Sequence, residues 1–127
     1  MAITVRMFTL VVDDYDRGIA FYRDEIGLAL VEDTDMGGGK RWVVLEGQGG
    51  ARVLLAKAAD EAQVAAIGRQ TGGRVGFFLT TDSFDADHAA FIRAGVKFLE
   101  SPRHESYGSV AVFEDPFGNK WDLIQPR

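Results

Sequence analysis

The chain contains no cysteine, which excludes disulfide staples and thiolate-bound metal from the start. It has only two histidines, and neither His88 nor His104 sits in the setting of a catalytic triad or a zinc-binding helix. No apolar run approaches the roughly 20 residues of a membrane-spanning helix. The opening residues lack the charged-then-apolar pattern of a secretory signal, so a cytoplasmic location is the expectation. Positive charge is also scarce: 14 Lys and Arg against 19 Asp and Glu leave a net charge of −5. Nucleic acid and anionic membranes need clustered cations, and this chain offers them little. A small molecule is the expected partner, with a second protein subunit behind it.

What is present is a repeat. Displaced by 68 residues (Arg6 onto Arg74), the sequence matches itself without a gap at Asp14 and Asp82, Gly27 and Gly95, and Glu32 and Glu100. It matches again at Val44 and Val112, Glu46 and Glu114, Gly50 and Gly118, and Leu55 and Leu123. Several of these identities fall at turns, which a repeated supersecondary unit shares. At 127 residues the chain is one domain built from two similar halves.

Each half reads as βαβββ. Val5 to Val12 is an apolar, β-branched run that ends at Asp13-Asp14. Asp14 is an N-cap for a helix carrying Tyr15, Ile19, Tyr22 and Ile26 at helical spacing, and Gly27 stops it. Strands are expected over 28–31, 41–45 and 52–56, separated by glycine-rich turns. In the second half the strands are 74–80, 96–99, 109–114 and 120–124. Asp82 or Ser83 caps the helix that carries Phe84 and Phe91, and Gly95 closes it. Asp115-Pro116-Phe117-Gly118 has the residues of a type I turn. A linking helix fills about 58–71, between a first module of about 1–57 and a second of about 72–127.

The run Asp13-Asp14-Tyr15-Asp16-Arg17, followed by Ile19 to Asp24 and Gly27-Leu28, resembles the first module of the glyoxalase/bleomycin-resistance/dioxygenase (vicinal oxygen chelate) superfamily. Asp115-Pro116-Phe117-Gly118-Asn119 with Trp121-Asp122-Leu123-Ile124 is similar to its closing motif. The resemblance implies an α+β fold of two tandem βαβββ modules, whose curved mixed sheets enclose a cleft, commonly in a homodimer. It also implies a divalent metal held by His, Glu or Gln from the first and fourth strand of each module. Carried onto this chain, those positions are Met7, Leu54, Val75 and Asp122. Only Asp122 is a donor for a hard or borderline cation. The expectation is therefore no metal and no cofactor, with the resemblance pointing to the antibiotic-binding members.

Several side chains are candidates to line such a cleft besides these four. Trp42 offers a flat face for stacking, or serves as sheet core. Phe77, two residues after Val75, is expected on the same face. His104 and Tyr107 lie in a loop over 101–108 that could close on a ligand. Arg41 and Arg74 begin strands and either meet an anionic group or form surface pairs. Trp121 is expected on the opposite, packed side. Gly37-Gly38-Gly39-Lys40-Arg41 is not a phosphate loop, because no Ser or Thr follows the Lys and a strand follows instead of a helix. The leading functional expectation is metal-free binding of an aromatic or amphipathic small molecule. The alternatives are a glyoxalase-like lyase or isomerase, or an extradiol dioxygenase-like enzyme, with a non-standard site. A family member acting mainly through association with another protein ranks last.

Overall fold

In the computed structural model, which describes residues 1–127, the repeat of sequence is also a repeat of structure. Strand β1 is Met7–Val12 and β5 is Val75–Thr80; β3 is Lys40–Glu46 and β8 is Gly108–Glu114. Both pairs keep the 68-residue displacement seen in the sequence (Met7 to Val75, Lys40 to Gly108). The chain divides into two units, Met1–Ile67 and Gly68–Arg127. The fold is α+β, with no helix long and apolar enough to cross a membrane.

The first unit holds a four-stranded sheet in the order β1-β4-β3-β2, where β2 is Ala29–Gly37 and β4 is Arg52–Lys57. The β1–β4 pair is parallel and the other two are antiparallel. Asp14 caps the helix as its sequence predicts, accepting the Arg17 N–H at 3.1 Å. The helix then departs from expectation. Only Tyr15–Ile19 (α1) is α-helical, and Ala20–Glu25 is a π turn closed by Ile26 N–H donating to Phe21 C=O at 3.0 Å. The wider turn turns two successive rings inward: Phe21 and Tyr22 are both buried and meet edge to face at 4.9 Å. Gly27, at φ +92°, ends the segment.

Register fixes which side of this sheet is packed. Leu10 lies opposite Leu55, which lies opposite Val43, and all three are fully buried. Each such side chain contributes about 1.5–3 kcal/mol relative to exposure. Helix α2, Glu61–Ala66, is shorter than the expected linking helix and belongs to the first unit. Its cap is reciprocal: Gln63 N–H donates to Asp60 and the Gln63 side chain accepts the Ala59 N–H, each at 2.8 Å.

The second unit holds a five-stranded sheet, β5-β9-β8-β6, where β6 is Lys97–Phe98 and β9 is Lys120–Pro126. A short β7, Arg103–Glu105, also pairs with β8. Helix α3, Phe84–Ala94, starts at Ser83, but the Ser83 hydroxyl does not cap it. Gln125 takes that role by accepting the Phe84 N–H at 2.8 Å. Beneath α3 lies an aromatic core in which Phe113 stands between Phe91 (5.7 Å) and Trp121 (6.1 Å). His88 is held between Phe84 and Phe98 as a structural residue. The Asp115 turn forms as its sequence predicts, with Gly118 N–H donating to Asp115 C=O at 3.2 Å.

Candidate functional site

Each sheet has one face packed against its helix, and a second, more open face on which half-buried side chains surround one buried valine, Val44 on the first sheet and Val110 on the second. On the first sheet, Thr9 lies opposite Leu54 and Leu54 opposite Val44. Alternation then places Met7, Leu54 and Trp42 together on the open face, all half-buried. Arg41 points the other way. Its N–H donates to the Tyr15 hydroxyl at 3.2 Å and its guanidinium lies 5.2 Å over the Tyr15 ring. It also pairs with Asp33 at 2.7 Å and Asp16 at 2.9 Å, bonds that raise its pKa further. Of the two readings for Arg41, the structure has the pairing one. Arg74 is exposed just before β5.

The open face of the second sheet centres on Asp122. It sits mid-way along β9, opposite Val112 on β8 and Phe78 on β5. Its Oδ1 is buried and has no hydrogen-bond partner. Burial raises its pKa above the usual carboxylate range, Arg103 opposes that shift and Glu100 adds to it. Val110, Ile124 and Val75 share the same face by register. Phe77 does not, contrary to expectation. A bulge between Val75 and Phe77 shifts β5 by one residue, so Phe77 pairs with Trp121 and stacks on it at 4.9 Å. Phe78 takes the open position instead and is 62% exposed.

The 101–108 segment is also more ordered than a loop. Residues 103–105 form β7, in which His104 lies opposite Ser109 and Arg103 opposite Val110. His104 therefore faces away from Asp122, with its Nδ1 2.9 Å from the Ser109 hydroxyl, and Arg103 occupies the Asp122 side. Arg103 makes a two-pronged pair with Glu100 at 2.8 and 3.3 Å and reaches Glu105 and the Tyr107 hydroxyl. These bonds, that to Glu100 foremost, raise its pKa. Glu100 has a second task. Between β6 and β7 the edge of β8 loses its strand partner at Ser101-Pro102, and Glu100 Oε2 accepts the Val112 N–H at 2.9 Å in its place.

Two shallow surface depressions lie elsewhere. One is lined by Ala58, Ala59, Asp60 and Val64, the other by Asp33, Asp35, Arg41 and the Gly37–Gly39 turn. Neither includes Asp122.

The sequence pattern that defines the Glyoxalase/Bleomycin resistance protein/Dioxygenase superfamily matches residues 4–123. The chain belongs to this superfamily. A protein of Shewanella frigidimarina, described only as uncharacterised, is 47% identical over 119 residues, covering 91% of this chain and 88% of its own. The structure of TnmS3, an antibiotic-binding protein from Streptomyces sp. CB03234, superimposes with a TM-score of 0.80 at 30% identity, covering 100% and 99% of the two chains. That of UcmS2 superimposes with a TM-score of 0.83 at 25% identity, covering 98% of each.

The register puts Met7, Leu54 and Trp42 on one face of the first sheet, and Val75 and Asp122 on one face of the second. Sequence reasoning missed Phe78, Glu100 and Arg103. A glycine inside a strand, Gly76, was the available sign of the bulge that exposes Phe78.

Proposed function

We propose that this protein binds an aromatic or amphipathic small molecule on the open faces of its sheets, without a metal, and acts by holding it. One observation carries the reading. The four positions at which catalytic members present metal donors hold Met7, Leu54, Val75 and Asp122, three of which offer no oxygen or nitrogen ligand. No three His, Cys, Asp or Glu side chains are grouped so as to hold an ion. The residues present do not fit a divalent metal, and no catalytic step is derived through one. The open faces instead offer hydrocarbon, with an indole on the first and an exposed phenyl ring on the second. The antibiotic-binding TnmS3, 30% identical, supports the same class of ligand. Sequestration protects a cell when the protein outnumbers the compound and its dissociation constant lies below the compound's working concentration.

Of the two tryptophans, Trp121 is buried and Trp42 is on an open face, so ligand-dependent emission reports on Trp42. Calorimetric titration with a panel of antibiotics and aromatic metabolites should find a ligand, and one seated on the first sheet should change the emission of the native protein and not that of Trp42→Phe. Absence of any ligand across the panel overturns the reading. So does a stoichiometric transition metal that survives dialysis.

A further inference from the structure

We infer that the open face of the second sheet selects arylalkyl amines, with Phe78 as the stacking surface and Asp122 as the counter-ion. This deepens the small-molecule reading and rests on it. The starting point is the buried Asp122 Oδ1, an acceptor with no donor. Burying one oxygen of a carboxylate without a donor carries a standing penalty, and a cation held against the part-exposed remainder of the Asp122 side chain would relieve it through charge. The side chains directly across from it, Val112 and Phe78, have no donor to give. Arg103, the cation whose field reaches Asp122, has its guanidinium engaged by Glu100, Glu105 and the Tyr107 hydroxyl. No side chain of the protein pairs with the carboxylate, so its charge is left for a ligand cation to neutralise.

Charge decides which donor. The groups acting on Asp122 are Arg103 and Glu100, and together with Asp122 they sum to a net negative charge. Further along the face, Glu114 is paired with Lys97 at 3.0 Å; Lys120 keeps its charge while donating to the Gly73 carbonyl at 3.1 Å, and Glu105, paired with Arg103 at 3.2 Å, offsets it, so the face stays net negative. A ligand carboxylate would meet repulsion here, whereas an ammonium gains a charge-assisted hydrogen bond. The exposed ring of Phe78, directly opposite Asp122 on the neighbouring strand, adds a flat apolar surface and a favourable field for a cation. An aromatic body with an amine on a short arm matches both.

The test is calorimetry at neutral pH with three naphthalenes that differ only in the attached group: aminomethyl, hydroxymethyl and carboxylate. The amine should bind most tightly and the carboxylate least. Asp122→Asn should weaken the amine by about 10- to 100-fold and bring it level with the alcohol. Phe78→Ala should weaken all three and preserve their order. Melting temperatures no lower than that of the native protein in both variants separate these effects from misfolding. If the three compounds bind alike, or if Asp122→Asn leaves their order intact, the assignment is overturned while sequestration of some ligand stands. If none of the three binds, this assignment falls, and the wider panel decides the small-molecule reading separately.

Discussion

Phe77 and Trp121 lie across from one another on adjacent parallel strands, ring centroids 4.9 Å apart and planes 27° from parallel. The next residue, Phe78, lies across from Asp122 with its ring in solvent. Two consecutive phenylalanines thus belong to opposite faces of one sheet and should fail in opposite ways. Phe77→Ala removes a partner of the aromatic core and should lower stability by about 2–4 kcal/mol in urea unfolding, near the lower end for such truncations because the ring is only partly buried. Phe78→Ala should leave the unfolding midpoint unchanged and reduce ligand affinity about tenfold, as loss of an aromatic contact at a binding face does. Matching effects of the two changes on both readouts would contradict the register.

The bulge that separates these roles depends on Gly76. A Cβ there would come within 2.3 Å of the Thr71 methyl group, while the Thr71 hydroxyl donates to the Arg74 carbonyl at 2.7 Å. Gly76→Ala should therefore destabilise by about 1–3 kcal/mol, as overpacking does. Thr71→Ser deletes the offending methyl and keeps the hydroxyl. The double variant Thr71→Ser/Gly76→Ala should recover most of the loss, and a thermal melt of the four proteins tests the coupling. Additive effects would show that the strain lies elsewhere.

The repeat made much of the fold legible, because turn residues and strand periods recur at one displacement in both halves. Gly27 and Gly95 end their helices at φ +92° and +93°, and Asp14 caps as its chemistry requires. What stayed hidden was relational. Periodicity alone cannot register a one-residue bulge, so Phe77 was assigned the face that Phe78 holds. Nor does composition reveal that Glu100 would replace a strand carbonyl for Val112 while gripping Arg103, because the first bond arises only where β8 lacks an edge partner. For the same reason His104 drew attention as a loop residue, although pairing with Ser109 turns it away from Asp122. Open-face residues separated by tens of positions were found where the repeat supplied a second witness, as with Leu54 and Asp122.

Asp115 is buried and accepts the Phe117 N–H at 2.9 Å, the Asn119 N–H at 2.8 Å and the Asn119 side-chain amide at 2.8 Å. It organises the turn that leads into β9 and hence the placement of Asp122. Asp115→Ala would leave these donors unpaired and should cost about 2–4 kcal/mol, since bonds to a charged acceptor are worth about 1.5–3 kcal/mol each and water recovers part of them. Denaturant unfolding measures it. A loss below about 1 kcal/mol would mean that the turn is held by its two backbone bonds alone.

Asp122 should give stability a pH dependence of definite sign. Its pKa in the folded protein is raised from 3.8, chiefly by burial, with Glu100 reinforcing and Arg103 opposing. Between that ordinary value and the raised one, the folded state binds more protons than the unfolded state, so stability falls as pH rises through this window. The contribution is present in full below the ordinary value and lost once the buried carboxyl ionises. Asp122→Asn cannot ionise, so the melting temperature of the native protein should drop relative to the variant as pH rises from about 4 toward neutrality. Other carboxylates titrate in the same range in both proteins and cancel in the difference. A bound arylalkyl amine should reverse the trend, because its ammonium stabilises the ionised carboxylate and so lowers the pKa again. Native and variant melting curves that run parallel across the range, with and without amine, would show that Asp122 reaches solvent and carries no such charge penalty.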